Sequence, residues 1–255
     1  HGATAVERIR VYHDRLFQFD RHLDRWERTL AELGVAGIFG RQETRRQIDE
    51  LFRQNQFWVQ SHQQIGVLML ASPGIGNRPS FVIDLYPIDA NLVSQRIHNG
   101  SPVVITSVQQ PPSESWSRNI KVRCRLHYYL ADRIARDVAP DAIGVLIDSD
   151  GTVTESGIAN VLIVEQETIV SPPRDQILDG VSLQVTRDIA ANLQIPWREE
   201  RITTQRLRSA DEVILTGTSC GIWFANSIDQ RATRVAGPIY RQLRQGFDTL
   251  INELT

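Results

Sequence analysis

Lysine is almost missing from this chain. Of 28 basic side chains only Lys121 is a lysine; the rest are arginine. Surface charge, ion pairs and phosphate contacts can all be served by a guanidinium. Chemistry that needs a primary amine able to lose its proton cannot. Cysteine is nearly as scarce. Cys124 and Cys220 show no metal or redox spacing, which leaves out a disulfide framework and fits a cytoplasmic, reducing compartment. The histidines are scattered without ligand spacing, so no metal is expected. No apolar run approaches the length of a membrane span, and no signal-peptide pattern opens the chain. A net charge of -2 counts against a nucleic-acid binder held by charge. What remains is ordinary for a globular protein: 255 residues, 41% hydrophobic and 23% charged. That length gives room for one large or two ordinary domains.

Periodicity divides the chain into interleaved strands and helices. AVERIRVY over 5–12 reads as a strand. Asp20 looks like the N-cap of a helix carrying Leu23, Trp26, Leu30 and Leu33, closed by Gly34. A second helix is expected over 41–55, with Ile48, Leu51 and Phe52 as its apolar stripe. Strands follow at 65–71, 81–86 and 102–107. The polar, proline-bearing stretch 109–119, QQPPSESWSRN, is the best linker. It sets a smaller N-terminal domain over 1–108 against a larger one over 120–255. Beyond it a helix is expected at 124–138, strands at 143–148 and 160–164, and a helix at 181–193. A strand near 196–202, a short helix at 203–209 and strands at 212–216 and 221–228 complete the reading. No regular βαβ rhythm appears, which points to an α+β fold. TVTESGIAN reads as a turn leading into the strand NVLIV.

Four separated motifs occur in order: HGATAVERIR at the start, RNIKVRCRLHYYLADRIA around Lys121, GTVTESGIANVLIV, and the pair LDGVSLQVTRDIA and ADEVILTGTS. Together they resemble the fold-type IV (class IV) pyridoxal-phosphate (PLP) enzymes, which include D-amino-acid aminotransferases, branched-chain aminotransferases and aminodeoxychorismate lyases. The similarity runs from His1 to about residue 240.

The resemblance implies an α+β enzyme of two domains with the cofactor at their interface, acting as a homodimer. It makes Lys121 both the Schiff-base lysine and the base that moves the substrate's α proton, a role that requires its amine pKa to be brought down. It pairs Glu155 with the pyridine nitrogen, keeping the ring protonated as an electron sink. It assigns the phosphate to the backbone N–H groups of Val181 and Ser182, the Ser182 hydroxyl and the helix dipole behind them. Thr218 and a clamp by Arg10 complete that anion site. Ser219 and Cys220 would lie near the substrate carboxylate, and Asn160 would support the turn after Glu155.

Three departures qualify the resemblance. The family carries further residues, with one or two strands, before the motif that begins here at His1, so the smaller domain is expected without its first strands. Arg125 stands where branched-chain enzymes have a tyrosine bonding the cofactor's phenolic oxygen; it could make that bond or point away. The strand IGVLMLA lacks the arginine with which D-amino-acid enzymes trap the substrate carboxylate; Arg78 comes only in the following loop.

The implied reaction is ping-pong transfer of an amino group from a D- or branched-chain L-amino acid to a 2-oxo acid. TGTS resembles transaminases. A helix starting three residues after Lys121 resembles D-amino-acid enzymes and lyases. Aminodeoxychorismate lyase activity, releasing pyruvate, is the alternative.

Overall fold

The computed structural model describes residues 2–76, 78–232 and 236–254. The opening histidine of the first motif, His1, lies outside the described residues. The chain divides into two compact units, one formed by His1–Ala90, Ile120–Cys124 and Leu254, the other by Asn91–Asn119 and Arg125–Glu253.

The first unit contains β1 (Ala5–Tyr12), β2 (Arg15–Leu16), α1 (Phe19–Glu32), α2 (Arg41–Gln54), α3 (Gln56–Gln60), β3 (Ile65–Ile75) and β4 (Arg78–Pro87). Its sheet has the order β2-β1-β3-β4. β3 runs antiparallel to both neighbours, with Ala5 opposite Ala71 and Met69 opposite Ile83. Alternation in β1 sends Ala5, Ile9 and Val11 to one face, where they meet Leu23, Trp26 and Leu30 of α1, Ile48 of α2 and Val67 and Met69 of β3. Helix α1 begins one residue before the expected Asp20 cap. Gln18 takes the N-cap place with φ 51°, and Asp20 falls in the first turn, where its charge still complements the helix dipole.

The second unit contains α4 (Ala90–Asn99), β5 (Ser101–Gln109), α5 (Leu126–Val138), β6 (Ile143–Ile147), β7 (Thr152–Ser156), β8 (Asn160–Glu165), β9 (Thr168–Ser171), α6 (Val181–Asn192), β10 (Trp197–Glu199), β11 (Ile202–Thr203), α7 (Thr204–Ser209), β12 (Glu212–Gly217), β13 (Gly221–Ile228), β14 (Arg231–Ala232) and α8 (Pro238–Asn252). Its sheet follows the path β10-β9-β8-β12-β13-β5-β6-β7-β11, and a further pairing of β7 with β8 closes six of these strands into a ring. Val161, Leu162, Ile163, Ile214, Leu215 and Ile222 are fully buried in it. Gly144 on β6 lets α5 lie close, because a Cβ there would come within 2.4 Å of the Ala131 carbonyl oxygen. Glu212, buried at the start of β12, accepts the Ile239 and Tyr240 N–H groups and so caps α8 from outside the helix.

The division differs from the one read in the sequence. β5 pairs in parallel with β6 and β13, so residues 101–109 belong to the second sheet rather than to an N-terminal domain. Residues 120–124 pair back onto β1 in the first unit. Helix α5 begins at Leu126, not at 124, since Arg123 donates its N–H to the Thr4 carbonyl and cannot enter a helix there. Residues 152–156 form a strand, and the turn before Asn160 is confined to 157–159.

Candidate active site

In the first unit Lys121 sits on a short extended segment beside β1. Its carbonyl accepts the Val6 N–H at 2.9 Å, and its own N–H donates to the Thr29 hydroxyl at 3.1 Å. Both polar atoms of that residue's backbone are therefore held, one by a strand and one by a helix. Thr29 is buried, and its hydroxyl donates to the Arg25 carbonyl at 2.9 Å. The Lys121 side chain is half-buried. Arg10 is buried on the same strand that holds Lys121. Its guanidinium donates to Gln64 Oε1 at 2.7 Å and lies over the Tyr12 ring at 4.7 Å.

Under this segment lies a cluster that the sequence does not announce. Glu7, on β1, is fully buried and takes two bonds from Arg25, Nε to Oε2 at 3.0 Å and Nη2 to Oε1 at 2.7 Å. His22 Nδ1 stands 2.9 Å from Glu7 Oε1. Burial pushes the Glu7 carboxyl up, but the charges of Arg25 and His22 and their hydrogen bonds outweigh it and hold the pKa well below the carboxylate range. Burial pushes His22 down, and Glu7 offsets only part of that. The signal available in the sequence was the spacing of His22, Arg25 and Thr29, which fall on one stripe of α1 together with a glutamate on the preceding strand.

In the second unit Glu155, the next-to-last residue of β7, is a buried carboxylate with donors on both oxygens. Tyr128 Oη and Gln110 Nε2 donate to Oε1 at 2.6 and 3.2 Å. Asn160 Nδ2 and the Leu178 N–H donate to Oε2, both at 3.0 Å. Asn160 also donates to the Leu178 carbonyl at 2.8 Å, fixing the loop that leads into α6. That loop ends at Gly180, the N-cap of α6, where no side chain caps the helix. The N–H groups of the first turn, Val181 and Ser182 among them, are left for an external acceptor. The Ser182 and Thr218 hydroxyls make no hydrogen bond among the described residues.

Pairing places these pieces at one end of the strand ring. Thr216 lies opposite Asn160, and β12 ends one residue later in the turn 218–220, which holds Thr218, Ser219 and Cys220. A Cβ on Gly217 would meet the Ile158 carbonyl at 2.3 Å, so this turn and the turn 157–159 are packed against each other. Arg125 donates to the Gly157 carbonyl and lies over the Tyr128 ring at 4.7 Å. Of the residues singled out in the sequence, Glu155, Val181, Ser182, Thr218, Ser219, Cys220 and Arg125 are thus gathered in the second unit, while Lys121 and Arg10 share the first. Tyr128, Gln110 and the Leu178 N–H, all bonded to Glu155, were not singled out for that role.

Gly180 is needed for space alone, since its φ of -65° suits any residue. A Cβ there would stand 2.3 Å from Asn160 Oδ1. Gly180→Ala therefore displaces Asn160 from Glu155. We expect thermal melts to show a loss of about 1–3 kcal/mol, with weaker PLP binding by fluorescence titration.

The amino-transferase class IV pattern matches residues 4–228. A D-alanine aminotransferase of Staphylococcus aureus is 29% identical over 98% of this chain and 89% of its own length. Among solved structures, the branched-chain aminotransferase of the thermophilic archaeon Thermoproteus uzoniensis, with norvaline, superposes with a TM-score of 0.87 at 24% identity, covering 98% of this chain and 86% of that one. A Legionella pneumophila structure, provisionally a 4-amino-4-deoxychorismate lyase, gives a TM-score of 0.81 at 20% identity over 97% of this chain and 91% of its own. The chain belongs to the class IV aminotransferases, enzymes that work with PLP. Its residues have the chemistry that group calls for: a primary amine at Lys121, a buried carboxylate at Glu155, and an uncapped helix N-terminus led by a glycine where a Cβ would crowd Asn160.

Proposed function

We propose that this enzyme transfers an amino group from a D- or branched-chain L-amino acid to a 2-oxo acid, donor and acceptor using the site in turn. The observation that carries the reading is Glu155, a buried carboxylate with two hydrogen-bond donors on each oxygen. Four donors favour the ionised form and hold a negative charge in place for a cationic partner. When bound, PLP supplies an aldehyde for the amino group and a ring that takes up electrons from the substrate's α carbon.

The roles follow from residue chemistry. Lys121 holds the cofactor and moves the proton at the substrate's α carbon. Glu155 holds a proton on the ring nitrogen. The Val181 and Ser182 N–H groups, with the Ser182 and Thr218 hydroxyls, receive the phosphate, and Arg10 supplies positive charge to it. Ser219 and Cys220 meet the substrate carboxylate. Arg125 supports the Glu155 side of the site through the Tyr128 ring and the Gly157 carbonyl. The same reading makes the enzyme a cytoplasmic homodimer. The family resemblance supports the dimer, and the scarcity of cysteine, two residues in 255, supports the compartment. Among the described residues no helix is long and apolar enough to cross a membrane, and no cluster of three or more histidine, cysteine or carboxylate side chains could hold a metal.

The test is the absorption spectrum of PLP-loaded protein, titrated in turn with D-alanine, D-glutamate and L-leucine. A visible band that collapses to the pyridoxamine form with one of them is the expected outcome, and the amino acid that does it fixes the stereochemistry. A band that none of them changes, with pyruvate released from aminodeoxychorismate without an amino acceptor, would replace transamination by the lyase reaction.

A further inference from the structure

Tyr128 stands nearer to Glu155 than Gln110, Asn160 or the Leu178 N–H does. Its hydroxyl stands 2.6 Å from Oε1, within the range of charge-assisted O–H···O⁻ bonds. Gln110 Nε2 reaches both the Tyr128 oxygen, at 3.3 Å, and Oε1, at 3.2 Å, which closes a triangle of three side chains from three separate stretches of chain. The Arg125 guanidinium lies over the Tyr128 ring at 4.7 Å. Burial and then the neighbouring Glu155 charge push the Tyr128 hydroxyl well above its ordinary value, so it serves as a donor and not as a second anion.

We propose that Tyr128 is a positioning residue that acts through Glu155 to set where the proton between that carboxylate and the cofactor's ring nitrogen resides. This rests on the reading of Glu155 as the partner of the ring. A carboxylate relieved of a short, charge-assisted donor is a stronger base. Without Tyr128 the proton shifts from the ring nitrogen toward Glu155, and the ring becomes a poorer electron sink. Binding of the cofactor through Lys121 and the phosphate donors is not touched by this change. The remaining donors, Gln110, Asn160 and the Leu178 N–H, keep the carboxylate in place.

The experiment loads the enzyme with PLP carrying ¹⁵N in the ring and compares wild type, Tyr128→Phe, Gln110→Leu and Glu155→Gln by NMR at one pH, alongside steady-state kinetics. Phenylalanine keeps the ring under Arg125 and removes only the hydroxyl. In Tyr128→Phe the ring resonance should move toward the unprotonated position, with kcat down about tenfold and KM within about twofold. Gln110→Leu should move it the same way by less, and that variant decides the matter if Tyr128→Phe does not fold. A ring resonance at the wild-type position in both folded variants would overturn the proposal. So would a folded Tyr128→Phe protein that no longer binds PLP, because Tyr128 would then hold the cofactor rather than Glu155. Glu155→Gln separates the two levels. If its resonance equals that of wild type, Glu155 is not the ring's partner, and the underlying reading fails whatever Tyr128 does.

Discussion

Lys121→Arg, reconstituted with PLP, should show no lysine-bound visible band, and transamination should fall by more than about a thousandfold. The substitution keeps the positive charge and nearly the length of the side chain. It removes the one property that no other basic residue of the chain can supply, a proton that can leave an amine. Folding should be untouched, because what anchors this residue is its backbone. The Val6 N–H and the Thr29 hydroxyl bind backbone atoms that every residue except proline provides. A thermal midpoint equal to that of wild type, together with a colourless, inactive protein, is the expected pair of results. Normal activity would remove Lys121 from the mechanism. An unfolded variant would show that the half-buried position cannot accept a guanidinium, and Lys121→Ala would then provide the measurement.

What the sequence made legible, and what it did not, follows the range of the interactions involved. Local signals located the elements well. The alternation of AVERIRVY gave β1, and the 181–193 pattern gave α6 within a residue of its end. The stripe Ile239, Tyr240, Leu243, Phe247 and Ile251 is equally legible as α8, although no helix was expected there. Strand partners were not legible. β5 looks like any short buried strand, and only its pairing with β6 and β13 assigns it to the second unit. The site divides in the same way. Glu155, Lys121 and the DGVS turn stand out as candidates because each lies in a contiguous motif. Gln110 and Tyr128, bonded to Glu155, come from the stretch read as a linker and from the helix expected after it. Arg10 and Arg25 show the limit most plainly. Composition cannot rank one arginine above another, and only the fold shows Arg25 gripping Glu7 while Arg10 reaches Gln64.

Glu7→Gln should be among the most destabilising single changes in the first unit, by about 3–5 kcal/mol. Glu7, His22 and Arg25 are each at most 3% exposed, so the variant replaces a buried charged partner of the Arg25 guanidinium with a neutral one. The effect should depend on pH with a definite sign. The Glu7 pKa is depressed in the folded protein, so its contribution is complete above its ordinary value of 4.5 and is lost as pH falls from there toward the folded value. His22 is also depressed, by burial first. The unfolded chain therefore binds that proton more readily, and stability declines as pH falls below about 6.5 in the wild type. Urea melts followed by the fluorescence of the buried Trp26 should accordingly show a full gap between wild type and Glu7→Gln at about pH 8, above the range in which His22 takes up its proton, and a gap that narrows as pH falls below 4.5. A gap that did not narrow below 4.5 would mean that the ionised Glu7 carboxyl is not what stabilises this layer. The loss should reach the chemistry as well. Arg25 and Thr29 lie on the same stripe of α1, and Thr29 holds the Lys121 backbone. Loosening that helix should weaken PLP retention in a variant whose substitution touches neither Lys121 nor any residue assigned to the phosphate.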